Sequence, residues 1–362
     1  AIGRDALSAL NIATAANTYN TAVGSSAGAA VTTGVYNTFV GGLAGDALTS
    51  SDANSAFGYA ALSSDTLGNQ NTAIGYLTLQ NQNFTTATDV YNTAVGAQAG
   101  NDITTGINNT IMGALAGDAL TDADHNVAIG KSALSSDTLG SRSTAVGFNT
   151  LADQNFTTAT DNYNTAVGYN AGGAVTTGVY NTLIGGLTGD ALTDGDANTA
   201  VGMWSLTGVV TGNHNTAVGY RAMYSNTSGS ENTGLGKDAL YSNTVGLYNA
   251  AVGEGALYTN VNGSTSVAMG RLALYTQNPA TAVNMYNTGV GYGAGQSVTT
   301  GINNTIVGGL AGDALTTGNR NTVVGKGALS ADTLGARNVA IGTAALNTQN
   351  FTTATDSYNV AV

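Results

Sequence analysis

A five-residue motif, Asn-Thr-Ala-Val-Gly or a close variant, recurs along the whole chain and constrains the fold more than any other feature. Successive copies start 17 residues apart, except for four intervals of 21 residues that begin at Asn71, Ser143, Ser266 and Asn338. A short unit repeated at a near-constant interval predicts a solenoid, in which each unit forms one coil and contacts only its neighbours. The copies start at Asn20, Asn37, Asn54, Asn71, Asn92, Asn109, Asn126, Ser143, Asn164, Asn181, Asn198, Asn215, Asn232, Asn249, Ser266, Asn287, Asn304, Asn321, Asn338 and Asn359.

A longer period lies over the short one. The 21-residue units carry an insertion, Asn-Phe-Thr-Thr-Ala-Thr-Asp, or a divergent version with Pro279 in place of Phe. The insertions lie at 83–89, 155–161 and 350–356, with the divergent one at 278–284. Three units of 17 residues and one of 21 make super-repeats at 20–91, 92–163 and 287–358, and a longer block covers 164–286. Because no linker interrupts this pattern, residues 1–362 are predicted to form one continuous array.

The motif predicts a strand that is apolar on both faces. With the motif Asn as position one, position four is a large apolar residue such as Val23 or Ile74. Positions two and four share one face of a strand, and that face is predicted to point into the coil. Position three is on the other face and is never polar, so it is predicted to pack against another chain; the alternative is that small alanines tolerate exposure there. The larger residues predicted to pack between chains are Phe39, Ile111, Leu183, Ile306 and Val323.

The rest of the unit predicts turns and a second strand. Glycine at position five of every complete copy indicates a backbone turn with positive φ. A small residue at position eight and Leu, Met or Gly at position nine predict a short inward-facing strand, while a glycine-rich unit of 17 residues leaves no room for a stable helix. The fold is therefore predicted to be an all-β parallel β-solenoid whose motif asparagines stack in a ladder. Twenty coils about 4.8 Å apart would make a rod on the order of 95 Å long.

Composition and charge narrow the class of protein. The chain is 42% hydrophobic and only 8% charged, which favours folding over disorder. A net charge of −12 without a basic patch argues against nucleic acid as a partner. No run of 18 apolar residues is present, so no membrane insertion of this segment is expected. Because the chain starts and stops inside a repeat, we expect it to continue in a longer polypeptide or into another subunit.

Few side chains offer chemistry that stands apart from the repeat. His125 and His214 are expected to be solvated turn residues rather than ligands of an axial metal. Two sets of aspartates recur in phase and are expected to bond to backbone amides in turns rather than to bind calcium. Catalysis needs a unique constellation of residues, and none is visible, so no enzyme, metal or cofactor is predicted. The aspartate sets are Asp46, Asp118, Asp190 and Asp313, and Asp65, Asp137 and Asp332.

A column of tyrosines inside the longer block is the most distinctive local feature. Tyr224, Tyr241, Tyr258 and Tyr275 are 17 residues apart at position ten, near the only tryptophan, Trp204. One interpretation is an aromatic ladder that stabilises the stack of coils. The other is a flat aromatic strip, which would include Trp204 and bind glycan rings, a receptor or a partner fibre. Ice binding by the threonines of position two is disfavoured, because that column is predicted to face inward.

Two forms of the motif resemble those of known fibre families. Asn126-Val-Ala-Ile-Gly130 and Asn338-Val-Ala-Ile-Gly342 resemble the head repeats of trimeric autotransporter adhesins, the YadA-like family, and Asn215-Thr-Ala-Val-Gly-Tyr-Arg-Ala-Met223 resembles repeats of bacteriophage tail fibres. The resemblance covers essentially every coil. It implies a left-handed β-roll, three chains wound side by side and a role in attachment, and it offers no catalytic residues. The 17-residue and 21-residue coils are longer than the adhesin head unit.

These observations predict a structural attachment fibre, either the shaft of a phage tail fibre or the rod of a cell-surface adhesin. It is expected to be a homotrimer located outside the cell, on the cell surface or on a virion. Its outer partner is expected to be a cell-surface glycan or receptor. The alternative is a self-assembling extracellular filament whose subunits join end to end.

Overall fold

Parallel strands stacked at the interval of the repeat make up the regular structure of the chain. The computed structural model describes residues 1–11, 17–208 and 211–362, which form two compact units, Ala1–Tyr180 and Asn181–Val362. Within these residues all regular structure is β, and each motif strand pairs in parallel with the next one in its unit. The predicted all-β parallel β-solenoid is therefore confirmed. Its handedness, the trimer and the single array over 1–362 stay predictions.

In the first unit, the motif strands cover positions two to four of each coil. They are β1 (Thr21–Val23), β2 (Thr38–Val40), β3 (Ser55–Phe57), β5 (Thr72–Ile74), β7 (Thr93–Val95), β8 (Thr110–Met112), β9 (Val127–Ile129), β11 (Thr144–Val146) and β13 (Thr165–Val167). Two-residue strands pair where an insertion lies over the coil before it. They are β4 (Gly68–Asn69) with β6 (Thr88–Asp89), and β10 (Gly140–Ser141) with β12 (Thr160–Asp161).

The second unit repeats this arrangement. Its motif strands are β14 (Thr182–Ile184), β15 (Thr199–Val201), β16 (Thr216–Val218), β17 (Thr233–Leu235), β18 (Ala250–Val252), β20 (Val267–Met269), β22 (Thr288–Val290), β23 (Thr305–Val307), β24 (Thr322–Val324), β26 (Val339–Ile341) and β28 (Val360–Ala361). Its short pairs are β19 (Gly263–Ser264) with β21 (Val283–Asn284), and β25 (Gly335–Ala336) with β27 (Thr355–Asp356). Strands pair in register, as Thr199 lies opposite Thr216, so each motif position forms a column along its unit.

Motif position three, rather than position four, points into the coil, so the predicted orientation of the strand is wrong. Position three is fully buried, with relative exposures of 0–1% for Ala22, Phe39 and Leu183. Position four lies on the outer face, where it is exposed in some coils, at 37% for Val23 and 46% for Met112, and half-buried in others, such as Val40. The side chains predicted to pack between chains instead fill the interior of their own chain. They are Phe39, Ile111, Leu183, Ile306 and Val323, each with an exposure of 0–1%.

A glycine across the coil makes room for the largest of these side chains. Phe39 shares its coil with Gly45 at position nine, where an added Cβ would overlap the Phe39 ring. Leu183 likewise shares its coil with Gly189, where the Cβ would lie 2.8 Å from its methyl group. In many coils that carry alanine at position three, position nine is a buried leucine such as Leu62. A large side chain at one of the two positions thus accompanies a small one at the other, which keeps the filled volume of the coil interior similar and is tolerated by close packing.

Turns with left-handed residues follow the motif glycine, so the predicted second strand is wrong. The motif glycines adopt a φ that only glycine occupies readily, for example +142° at Gly58. Positions seven and nine are left-handed even where the residue is leucine, with φ of +55° at Leu77 and +51° at Leu79. Hydrogen bonds between coils continue through these turns, because the Leu79 N–H donates to the carbonyl of Ala99 at 3.1 Å. The alternation of left-handed residues folds this segment too tightly for a strand.

The motif asparagines form the predicted ladder and are buried between coils. The backbone N–H of Asn321 donates to Asn304 Oδ1 at 2.9 Å. Asn304 Nδ2 in turn donates to the carbonyl of Gly318, in the last turn of its own coil, at 2.9 Å. Ser143 replaces asparagine in one coil, and its hydroxyl accepts from Gln154 Nε2 at 2.8 Å instead. The position-one asparagines therefore link the end of their own coil to the neighbouring coil, whereas the Ser143 hydroxyl bonds within its own coil.

The aspartates of the Asp-Thr-Leu-Gly segments hold the insertions in place. Asp137 is buried and accepts hydrogen bonds from the backbone N–H groups of Gly140 and Phe156, at 3.1 and 3.0 Å. Asp65 and Asp332 bond in the same way to Phe84 and Phe351, which confirms their predicted bonds to backbone amides. The phenylalanines fold back onto the coil, because Phe84 and Phe156 are buried and Phe351 is half-buried.

The divergent insertion cannot donate the hydrogen bond that the other insertions donate to the aspartate. Proline has no backbone N–H, and Pro279 stands where the other insertions have phenylalanine. The residue 19 positions before it is Asn260 instead of aspartate. Asn260 donates to the carbonyl of Gly263 at 2.8 Å and needs no amide from the insertion. The coil that precedes the insertion with proline therefore also lacks the aspartate that would need the missing N–H.

Candidate functional site

The four tyrosines of position ten stack as a continuous column in the second unit. Their ring centroids are 5.2, 4.9 and 5.0 Å apart, and neighbouring ring planes lie within 12° of each other. Parallel rings this close must overlap face to face, because rings lying side by side in one plane would collide. Each inner face is therefore covered by the next ring. The column presents ring edges and hydroxyls outward rather than a flat strip of aromatic faces.

Trp204 is not a member of the tyrosine column. It lies at position seven, where its backbone φ is +59°, and its ring packs against Tyr220 with centroids 5.7 Å apart and a 57° tilt. Sequence proximity alone suggested that it belonged with the four tyrosines. Only the end rings, Tyr224 and Tyr275, have a face that no other ring of the column covers. The role of these five residues in binding a surface stays a prediction.

A ladder of ion pairs lies beside the tyrosines, and it was not predicted from the sequence. Arg221 binds Asp238 through two hydrogen bonds of 2.8 and 3.0 Å, and its guanidinium lies over the rings of Tyr220 and Tyr241. Glu254 bridges Arg271 and Lys237 at 3.1 and 3.3 Å. The hydrogen bond to Asp238 raises the pKa of Arg221, and those from Arg271 and Lys237 lower the pKa of Glu254. The sequence could have predicted these ion pairs, because the paired charges are 17 residues apart, which is the interval of the repeat.

A groove of about 200 Å³ opens between the ion pairs and the tyrosines. It exists because Gly255 has no side chain at position seven, where other coils carry residues such as Leu77 or Arg221. The groove brings phenol groups and two carboxylates to one place, which suits a ligand rich in hydroxyl groups. Both carboxylates are already engaged by cations, so the groove is closer to neutral than its composition suggests. Its lining residues are Asp238, Glu254, Gly255, Tyr258, Leu272 and Tyr275.

The tyrosine column is expected to stabilise the second unit more through its inner rings than through its ends. Tyr241 stacks on two rings and Tyr275 on one. An aromatic pair contributes about 0.5–1.5 kcal/mol beyond area burial, so Tyr241→Ala should lower the free energy of unfolding by about that much more than Tyr275→Ala. Urea unfolding of the two variants measures the difference. Equal losses would show that the second ring contact of Tyr241 adds nothing to the stability of the fold.

The other set of aspartates, which follows the glycine of position nine, also occupies position ten. The predicted hydrogen bond to a backbone amide is absent for one carboxylate oxygen of each. The Oδ1 atoms of Asp46, Asp118, Asp190 and Asp313 are buried and have no hydrogen-bond partner among the described residues. Burial raises the pKa of each carboxyl above its usual value of 3.8, with partial compensation from the residue's own backbone N–H. Such unpaired buried atoms cost stability.

These four carboxyls make the fold less stable as the pH rises. A raised pKa means that the folded chain holds the proton more tightly than the unfolded chain. Their contribution is therefore most favourable in acid and is lost as the pH rises from about 3.8 through the raised values. The variant Asp46→Asn/Asp118→Asn/Asp190→Asn/Asp313→Asn should melt higher at pH 7 and depend less on pH, because Asn101 already occupies this position in another coil. Parallel melting profiles from pH 3.5 to 7 would contradict this.

The histidines lie where turn residues were expected. His125 and His214 are exposed and left-handed, with φ of +60° and +57°. The residues that the structure describes contain no group of three histidine, cysteine, aspartate or glutamate side chains placed to hold a metal. The same residues include no helix long and apolar enough to cross a membrane.

The position-two threonines do not face inward, so the prediction on which ice binding was disfavoured is wrong. The threonines of position two face outward with position four, for example in β8, where Thr110 and Met112 are exposed and Ile111 is buried. Large exposed side chains such as Tyr59 and Tyr76 follow the same strands. They interrupt the plane that a crystalline lattice would need.

Comparison with known proteins gives no family for these features: no protein-family model matches the chain, and no curated protein matches it significantly.

Proposed function

We propose that this chain is a structural segment of an attachment fibre, either a phage tail fibre shaft or the rod of a cell-surface adhesin, and that it has no catalytic role. The observation that carries the proposal is the hydrogen bonding of consecutive coils all around their circumference. Between two coils, Thr38 bonds to Asn54 in the strand at 2.8 Å, Gly45 to Ala61 in the first turns at 2.9 Å, and Thr49 to Thr66 in the last turns at 3.1 Å.

This bonding supports a mechanical role. A coil that is held on every side can neither tilt nor open without breaking several hydrogen bonds together. The polar groups of the interior serve the same purpose, because the motif asparagines bond coil to coil and the buried aspartates bind the insertions. Such a segment would hold a binding tip at a distance from the particle or cell that carries it.

The proposed partners follow from the same features. The exposed apolar residues of position four favour association with further copies of the chain, in the predicted homotrimer. A glycan or receptor is proposed at the tyrosine column and its groove. Replacing Tyr224, Tyr241, Tyr258 and Tyr275 with serine should then abolish glycan or cell binding while the coils still form. Neither nucleic acid nor membrane insertion is part of the proposal.

Immunogold electron microscopy tests the location and role. Antibodies against the folded chain should decorate appendages that project from virions or cells of the source, along their length. Label confined to the cell interior, or to particles without appendages, would overturn the proposal. The outcome does not depend on how many chains associate.

A self-assembling extracellular filament is the second candidate. The same in-register contacts, such as Thr216 opposite Thr233 in β16 and β17, recur between successive coils. A coil from another subunit could therefore add to this geometry without a new kind of contact. Micrographs of purified chain that show filaments with subunit boundaries would favour this candidate over the attachment fibre.

A further inference from the structure

Exposed large apolar side chains gather on one side of the coil. Nearly all of them lie at positions two, four and six, or immediately before the motif asparagine; we call these four columns the strand face. Examples are Tyr36, Phe57 and Tyr59, with exposures of 61, 38 and 53%. Among the described residues, the exceptions are Val245, Val283 and Leu310. Scattered apolar residues need no explanation, but their concentration on one face indicates a surface that another macromolecule covers.

The strand face is large enough for a stable interface. In the first unit, nine aromatic side chains beside the strands have exposures of 46–66%. About half of each ring surface, or roughly 100 Å², is therefore open to solvent, which gives on the order of 900 Å² in all. A stable interface buries about 800 Å² on each partner. The nine side chains are Tyr19, Tyr36, Tyr59, Tyr76, Tyr91, Phe148, Tyr163, Tyr169 and Tyr180.

Two glycines of the strand face are not explained by the chain's own fold. Gly186 and Gly309 lie at position six, where other coils carry tyrosine or lysine. A Cβ added at either glycine would meet nothing within 4 Å, and neither has a left-handed φ. Neither backbone conformation nor internal space therefore requires glycine. Each position leaves an open notch beside the bulky side chain at position six of the next coil, Met203 after Gly186 and Lys326 after Gly309, of a kind that a partner's side chain can enter.

Charge is divided between the strand face and the rest of the coil. Of the nine lysines and arginines, all except Arg221 lie on the strand face, whereas of the 21 acidic residues only Glu231 and Glu254 do. Many of the other acidic residues lie at positions ten to sixteen, which we call the turn side. Positions two and four carry no charge at all.

Five of the strand-face cations already pair with carboxylates of their own chain, namely Arg4, Arg142, Lys237, Arg271 and Arg337. The positive charge that the strand face offers a partner therefore comes mainly from Lys131, Arg320 and Lys326. Against another strand face these cations would oppose like charges, whereas against a turn side they would face carboxylates.

We propose that copies of this chain associate through the strand face, and that each copy sets its strand face against the turn side of the next. This inference rests on the proposed function, since it names the surfaces that join the chains of the fibre. Contact between two different surfaces of the same chain is heterologous, and it closes only as a ring of three or more copies. The occupant of the strand face is therefore a second copy of this chain.

Light scattering coupled to size exclusion, over a range of protein and salt concentrations, tests the proposal. The variant Gly186→Glu/Gly309→Glu places a bulky negative charge in both notches, opposite an acidic turn side. It should raise the apparent dissociation constant at least about tenfold. The matched variant Gly186→Ala/Gly309→Ala should associate like the wild type. Circular dichroism should be unchanged in both, and neither variant should melt at a lower temperature than the wild type, because the added atoms meet open space.

The wild-type chain should have a mass of three or more chains, and its association should weaken as salt increases. A mass of two chains would overturn the heterologous arrangement, because a pair would leave one strand face uncovered. A monomeric wild type, or a glutamate variant that associates normally, would overturn the assignment of the surface. In each of these cases the attachment-fibre proposal would still be decided by immunogold labelling, which does not depend on association.

Discussion

Gly219→Ala should destabilise the second unit by at least about 3 kcal/mol. Gly219 is the motif glycine of its coil and has a φ of +132°, a region that costs other residues on the order of 1–3 kcal/mol. Its added Cβ would also lie 2.7 Å from the carbonyl carbon and oxygen of Gly236 in the neighbouring coil. No flexible side chain can move away there, so the backbones of two coils must separate. Chemical denaturation monitored by circular dichroism measures the loss.

Gly186→Ala is the matched control for this change. The residue lies on the same side of the coil, one position after a motif glycine, but its Cβ would meet open space. Replacement of a glycine in an ordinary conformation usually stabilises by about 0.4–1 kcal/mol, because the unfolded chain loses freedom. If both variants lose similar stability, the special requirement at position five does not exist.

Asn304→Ala should have a comparable effect for a different reason. The change removes the acceptor of the Asn321 N–H and the donor to the Gly318 carbonyl, and both groups are buried. An unsatisfied buried polar group costs about 1–3 kcal/mol, so the expected loss in the free energy of unfolding is about 2–6 kcal/mol. Equilibrium unfolding in guanidinium chloride gives the value.

Asn347→Ala provides the comparison for the ladder. Asn347 is exposed, and surface substitutions usually change stability by less than about 0.5 kcal/mol. The two variants remove the same side chain, so the difference between them isolates the buried hydrogen bonds. A loss below about 1 kcal/mol in Asn304→Ala would mean that water or a shifted side chain satisfies the two groups.

The repeat predicted the fold class correctly because it determines which residues stack. The interval of 17 residues, the glycine at position five and the asparagine at position one each led to the structure that is observed. The direction of the strand was predicted wrongly because both of its faces are apolar, and hydrophobicity alone cannot tell them apart. Side-chain volume could have done so. Large residues such as Phe39 and Leu183 share their coils with Gly45 and Gly189, which only makes sense if both positions point inward.

Other features depended on contacts that no periodic pattern reveals. Leu77 and Leu79 adopt left-handed backbone conformations that leucine normally avoids, so the sequence indicated a strand where turns occur. The fully buried Leu79 side chain offsets part of that cost. The tyrosine column was predicted from its spacing, but the overlap of its rings follows from ring geometry. The ion pair between Arg221 and Asp238 shares the interval of the repeat and could have been found.

The hydrogen bond that an insertion donates to an aspartate of the preceding coil has a consequence for how such a chain can change in length. Asp137 and Phe156 lie in different coils. Without Asp137 the N–H of the buried Phe156 loses its acceptor, and without Phe156 the Asp137 carboxylate loses one of its hydrogen bonds. Recombination that joined an aspartate-bearing coil to an insertion with proline would remove a hydrogen bond from a buried carboxylate. The smallest segment that can be duplicated or exchanged without loss is therefore a pair of adjacent coils, whereas coils that carry neither the aspartate nor the insertion can be gained or lost singly.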